Sequence, residues 1–202
     1  MLSSELRLRG YDIITTCEPG GTPLGRRLRE AFLETEEAVD PLAELLLFAA
    51  DRAQHVNFLI KPALEEGKIV ISDRYADATA AYQGAGRGFP ETTVKQVIEL
   101  ATGGLKPHLT LFFDLPIERS LTRTNGHETD SRINNRMDLE TGDFYTRVRD
   151  EYLQIAKREP KRFKIIDGDR SIEEVHAAVM ESVLDFLKKE QESVQKAINT
   201  GN

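Results

Sequence analysis

Cysteine is nearly absent: Cys17 stands alone in 202 residues. A single thiol excludes a disulfide framework and any site built on several cysteines. Tryptophan is missing and histidine occurs four times, scattered, so a histidine-rich zinc site is not expected. No apolar run approaches the roughly 18 residues that cross a bilayer. The opening MLSSELRLRGYD has no apolar signal core. A surplus of positive charge is lacking too. Lys+Arg 27 against Asp+Glu 34 leaves a net charge of −7, the wrong sign for a general nucleic-acid coat. What is present, 40% hydrophobic and 30% charged residues, is enough for a buried core. The expectation is an acidic, cytoplasmic globular protein with no nucleic-acid and no membrane partner.

Four short segments read as strands: residues 12–17 (DIITTC), 68–73 (KIVISD), 109–115 (LTLFFDL) and 163–167 (FKIID). Three are continuous apolar runs ending at an acid or a turn residue, the pattern of strands covered on both faces. Helical spacing predicts helices over 24–34, 41–64, 91–102, 144–157 and 172–189. Asp40-Pro41 supplies an N-cap and an N1 proline, and Gly103-Gly104 a C-cap. Strands alternating with helices predict an α/β fold with a parallel sheet, whose ligands sit at the carboxyl ends of the strands. One domain is expected over 1–190, with a polar, fraying tail over 191–202.

Five motifs carry possible chemistry. Glu18-Pro19-Gly20-Gly21-Thr22-Pro23 follows a strand; its glycines allow a close ligand approach or simply a tight turn. Phe48 and Arg52 are four apart on one helix face. A ring beside a guanidinium fork suits a planar base, and equally a core residue beside an ion pair. In IVISDRY, Asp73 could hold hydrated magnesium and Arg74 a phosphate; an ion pair closing the strand is the alternative. TAAYQGAGRG places Gln83, a donor and acceptor at once, beside a glycine-rich turn. Arg123 and Arg136 lie on either side of the polar loop 125–135 and Arg132 within it, with Arg147 and Arg149 following. These form either a solvated face or a lid neutralising a transferring phosphoryl group.

In order, EPGGTP, LLLFAADRAQH, the DRY strand, AYQGAGRG, ATGGLKP, LTLFFDLP and FYTRVRDEYLQIA resemble bacterial thymidylate kinase. The resemblance covers about residues 11–187. It implies a three-layer α/β/α P-loop kinase fold. It also implies transfer of the ATP γ-phosphoryl group to dTMP with Mg2+, and a homodimer. Carried over by position, Phe48 resembles the ring that stacks on thymine and Arg52 the guanidinium at its edge. Arg74 resembles the grip on the acceptor phosphate, and Asp73 the acid near magnesium. Glu18, Thr79, Tyr82 and Gln83 fall in the same substrate pocket, with Tyr82 beneath the deoxyribose. Arg132 and Arg136 resemble lid arginines within a lid at about 123–142, and Asp167-Gly168 the segment beside the adenine.

Three positions depart from the family pattern. Cys17 stands where an arginine is usual, and Asn135 precedes Arg136 where an aspartate is frequent. The phosphate-cradling G-x-x-x-x-G-K-[ST] does not occur in the 202 residues. By comparison with the family, roughly twenty-odd residues of first strand, loop and helix start would carry it, and the resemblance implies a sheet missing that first, central strand. Two expectations follow: a natural start further upstream, or a chain that binds dTMP as a pseudokinase without an ATP site.

Overall fold

The structure is a computed structural model that describes residues 1–119 and 136–200. Arg123, Arg132, Asn135 and the rest of the polar loop lie outside the described residues. The chain begins with α1 (Leu2–Leu8), β1 (Ile13–Cys17), α2 (Pro23–Leu33) and α3 (Pro41–His55). A π-helical turn (Val56–Ile60) joins α3 to α4 (Lys61–Glu65), and β2 (Ile69–Asp73) follows. Next come α5 (Ala76–Thr79), a π-helical turn (Ala80–Gly86), α6 (Glu91–Thr102) and β3 (Thr110–Asp114). A 3-10 turn (Arg136–Leu139), α7 (Gly142–Arg158), β4 (Phe163–Asp167) and α8 (Ile172–Thr200) complete the described elements.

The helix ends obey local chemistry. Asp40 accepts from Leu42 N (2.9 Å) and Ala43 N (3.3 Å), satisfying amides that α3 leaves unpaired. Gly103 closes α6 in the left-handed conformation at φ 58°, where glycine carries no steric penalty. Both ends fall where the sequence predicts them. The polar tail does not: α8 runs on to Thr200. After Lys189 the sequence is rich in Glu, Gln, Lys and Ala, all good helix formers, and no glycine or proline interrupts it before Gly201.

The strands form two parallel ladders rather than one sheet. β1 pairs with β2, and β3 with β4; among the described residues no ladder bond joins the two pairs. They are held together from the sides. Leu6, Ile13, Ile166, Val179 and Val183 form one buried cluster that also takes Ile69, Ile71, Leu109 and Leu111, so both ladders rest on α1 and α8. On the opposite side, Phe112 of β3 stacks on Tyr152 of α7 with centroids 4.7 Å apart. Arg162, just before β4, grips Asp77 of α5 through two bonds of 2.8 and 2.7 Å. Helices thus flank the strands on both sides, an α/β/α layering.

That layering fixes where a ligand can sit. The carboxyl end of β1 runs directly into Glu18, whose amide donates to Asp73 O at the end of β2 (2.9 Å). α3 crosses beside both strand ends, and the turn after α5 packs against α7. Gly86 makes that contact possible: an added Cβ would stand 2.6 Å from the Phe144 ring.

Candidate active site

α3 turns one face toward the strand ends, and that face is unusually polar. Its buried residues are Glu44, Leu45, Phe48, Asp51, Arg52 and His55. Apart from Leu45, they recur at helical spacing. Four ionisable side chains inside one helix face need partners, because an unpaired buried charge is costly.

The partners come from the turn after β1. The Glu18 carboxylate accepts from Arg52 Nε at 2.7 Å and meets His55 Nδ1 at 2.7 Å. His55 Nε2 lies 2.7 Å from Thr16 Oγ1. Arg52 donates its remaining nitrogens to Thr79 Oγ1 (2.7 Å) and to Tyr75 O (3.1 Å). One chain of contacts thereby links β1, α3 and α5 through residues that solvent barely reaches. The EPGG glycines serve this join. A Cβ on Gly21 would lie 2.5 Å from Thr16 Oγ1 and 2.6 Å from His55 Nε2. Gly20 N donates to Asp51 Oδ1 at 3.1 Å. In the structure both glycines face protein.

Asp51 is the exception to full pairing. Its Oδ2 is buried without a partner. Burial pushes its carboxyl above the usual range, against the Gly20 amide that pulls it down. A raised folded-state value means the charged form is the one the fold disfavours. Stability tied to Asp51 therefore falls as pH climbs from about 4, the unfolded carboxylate value, through that raised value. The melting temperatures of wild type and Asp51→Asn at pH 5 and pH 8 check this. The variant is expected to gain on wild type at pH 8. An equal difference at both pH values would refute it.

Beside this network lies a small hollow open to solvent, lined by Glu18, Phe48, Arg52, Arg74, Ala78, Thr79, Tyr82 and Gln83. The structure thus brings together all seven residues singled out for substrate binding, and adds Ala78. Phe48 meets Phe32 edge-on with centroids 4.9 Å apart. Arg74, at φ 69°, is a non-glycine residue in the left-handed region. Its guanidinium lies over the Tyr82 ring, 4.9 Å from the centroid. No described residue gives that guanidinium a carboxylate or carbonyl partner, whereas Arg52 in the same hollow donates from all three of its nitrogens. Gln83 Nε2 donates to Glu44 Oε1 at 2.9 Å.

The remaining predicted residues sit elsewhere. Arg136 pairs with Glu44 and donates to Phe32 O (3.4 Å), on the far side of Gln83. Arg147 donates to Ala85 O (3.2 Å) and Gly86 O (2.9 Å), bracing the glycine-rich turn. Arg149 holds Asp114 through bonds of 2.6 and 2.8 Å. Cys17 is half-buried, and burial pushes its thiol up. Arg132 lies outside the described residues. Sequence reasoning passed over Glu44, Asp51 and His55. Their signal was available, since positions 44, 48, 51, 52 and 55 share one helical face.

Asp73 ends β2, exposed, beside the hollow. Among the described residues no cluster of three metal-ligating side chains forms. Magnesium keeps several waters and needs only one or two carboxylates beside phosphate oxygens, and Asp73 fits that demand. Asp167 accepts from Asp169 N (3.0 Å) and Arg170 Nε (2.8 Å). Gly168 packs so closely that a Cβ would stand 2.6 Å from Leu115 Cδ1. The described residues offer no glycine-rich cradle with a free lysine for a triphosphate; Lys68, after Gly67, pairs with Glu66 at 2.6 Å.

Parallel strands flanked by helices, with a hollow beside their carboxyl ends, define an α/β fold with its site where such folds take ligands. Comparison with known proteins narrows the class. The family model described as thymidylate kinase matches residues 1–179. The thymidylate kinase of Halothermothrix orenii is 45% identical over 189 residues, spanning 94% of this chain and 90% of the relative. That of Geotalea uraniireducens is 44% identical over 192 residues, spanning 93% and 89%. The solved thymidylate kinase of Ehrlichia chaffeensis superposes with a TM-score of 0.71 at 32% identity, covering 91% of this chain and 88% of the other. The chain belongs to the thymidylate kinase family, a family of phosphotransferases.

Proposed function

We propose that the protein transfers the γ-phosphoryl group of ATP, as its magnesium complex, to dTMP, giving dTDP. The observation that carries this reading is the hollow itself. An aromatic ring, a guanidinium that among the described residues meets only the Tyr82 ring, and an amide whose oxygen takes no bond from a described residue converge on it. Phe48 stacks on the pyrimidine, and Arg52, Thr79 and Gln83 line its edge. Tyr82 lies beneath the sugar, where a crowding ring disfavours a 2′-hydroxyl. Arg74 takes the α-phosphate and holds its oxygen in line for attack, since positioning and charge neutralisation dominate phosphoryl transfer. Asp73 would hold hydrated magnesium, which would supply charge neutralisation on the phosphates. Arg132 and Arg136 act as lid arginines in transfer, Arg136 exchanging Glu44 for the phosphoryl group. Asp167 and Gly168 lie beside the adenine.

A coupled ADP-release assay with dTMP and ATP-magnesium tests the proposal. Turnover supports it. Calorimetry that shows dTMP binding but no ATP binding supports the second reading, a dTMP-binding chain without transfer. Absence of dTMP binding overturns both. Phe48→Ala is expected to weaken dTMP binding by about 1–3 kcal/mol through lost stacking, and to destabilise the fold by about 3 kcal/mol through the cavity beside Phe32.

We infer a homodimer as well. Leu42, Leu46 and Phe58 are exposed along α3 and its continuation, and Leu100 on the α6 that packs against it. Light scattering of the wild type and of Leu46→Glu checks it: a dimer that the charge breaks is expected. A cytoplasmic location and the absence of nucleic-acid or membrane partners accord with the acidic charge. No helix among the described residues is long and apolar enough to cross a membrane.

A further inference from the structure

The proposed function uses Glu44 only as the resting partner of Arg136, although it is one of the most enclosed ionisable groups among the described residues, with 0% of its surface exposed. It sits behind the hollow. Arg87 reaches it through Nε at 3.1 Å and Nη2 at 3.0 Å, and Arg136 donates to it as well. Arg87 also pairs with Glu140 at 2.6 Å. Two guanidinium groups around one carboxylate exceed what a simple ion pair needs. The third group that meets Glu44 is Gln83, at 2.9 Å, and Gln83 lines the hollow.

This contact decides which end of the Gln83 amide the ligand meets. A carboxylate only accepts hydrogen bonds, so the Gln83 atom facing it is the nitrogen. Burial raises the Glu44 carboxyl, but the bonds from Arg87, Gln83 and Arg136 outweigh it and hold the group below the usual range. It stays an acceptor through neutral pH. The amide cannot turn over without setting its oxygen against a buried carboxylate. Its Oε1 takes no bond from any described residue.

We propose that Glu44 is a positioning residue for base selection: it fixes the Gln83 amide so that the hollow presents a carbonyl acceptor to a ring N–H. Thymine and uracil carry a hydrogen at N3 and satisfy that acceptor. Cytosine carries a lone pair at N3 and leaves the two acceptors facing each other. A site built to pair with a ring N–H rejects an analogue lacking it far more strongly than an apolar pocket rejects a missing methyl group. Discrimination thus depends on a residue that never touches the nucleotide. The inference rests on the dTMP reading of the hollow.

The test is calorimetric titration of the full chain with dTMP and with dCMP. In wild type, dTMP is expected to bind at least a hundredfold more tightly. Glu44→Gln frees the Gln83 amide to turn, because the new side chain can accept or donate. The preference is then expected to fall at least tenfold. Glu44→Asp keeps the carboxylate and should recover part of it. Arg87→Lys loosens the same cluster but leaves the carboxylate facing Gln83. It is expected to melt lower and keep the preference within threefold. A folded Glu44→Gln chain with an unchanged preference overturns the inference, as does Arg87→Lys losing as much as Glu44→Gln. If Glu44→Gln does not fold, solvent exchange of the Gln83 side-chain NH2 in the wild type decides. Slow exchange already present without nucleotide supports the assignment, and protection that arises only when dTMP binds overturns it. Failure of wild type to bind dTMP removes the dTMP reading and this inference together. Binding of dTMP with no preference over dCMP removes this inference alone.

Discussion

Replacing Arg74 by methionine is expected to lower dTMP affinity about hundredfold while leaving thymidine affinity nearly unchanged. The guanidinium has no partner among the described residues and rests on the Tyr82 ring, 4.9 Å from its centroid. It is therefore free to give its donors to a phosphate in bidentate geometry, where a charged hydrogen bond contributes about 1.5–3 kcal/mol. Methionine keeps the stem that covers the ring and removes only the charge. Calorimetry with both ligands reads the difference directly. Equal losses for dTMP and thymidine would mean that Arg74 merely shapes the hollow. The backbone supplies an independent check. At φ 69° a non-glycine residue bears steric strain of about 1–2 kcal/mol. Arg74→Gly relieves it, so that variant is expected to melt at or above the wild-type temperature even as it loses the phosphate. A residue kept in a strained conformation at a ligand site is one whose side chain is wanted there.

The second large effect falls on stability. Glu18→Gln is expected to destabilise the fold by about 3–5 kcal/mol, the usual cost of breaking a buried ion pair from one side. Arg52 and His55 each lie 2.7 Å from a different oxygen of the Glu18 carboxylate. A glutamine keeps one oxygen as acceptor, loses the charge, and sets an amide NH2 against Arg52 or His55 in place of the other. Neither neighbour can turn to water, since both are buried on α3. Against a total stability of about 5–15 kcal/mol, such a loss leaves much of the chain unfolded at growth temperature. Urea unfolding measures it, and a change below about 1 kcal/mol would show that the network relaxes around the substitution. Substitution of Glu18 is therefore expected to abolish activity through unfolding, unlike Arg74.

The two cases show which layers of the site a sequence reveals. Strand bounds were readable to within a residue or two, because a buried parallel strand is a short apolar run between turn residues. β4 (Phe163–Asp167) matches its predicted span, as does α6 (Glu91–Thr102) with its glycine cap. Seven of the eight residues of the hollow were found because they sit in motifs that the family resemblance covers. Which partners they take was not legible. Glu44 and Arg136 are 92 positions apart and meet only in the folded chain. Nothing local tells whether a lone arginine faces a ligand or a carboxylate. The π-helical turns Val56–Ile60 and Ala80–Gly86 escaped for a related reason. One extra residue per turn leaves the hydrophobic period almost unchanged, and packing decides it. Periodicity reports how a strand is covered and not which strand lies beside it; the gap between the two ladders follows instead from the family resemblance, which puts a further, central strand between neighbours.

Glu44, Phe48, Asp51, Arg52 and His55 all ride on one α-helix, with a consequence for how this protein can change. Each residue added to a helix turns everything beyond it by about 100°. A single inserted codon between positions 44 and 55 would swing part of that row out to solvent and leave the rest in place. Ring, fork and amide support would then no longer share one side. A codon added in the turn before Asp40 rotates nothing. Along this segment, drift by exchange of one residue for another stays open to the lineage, whereas change of length is closed.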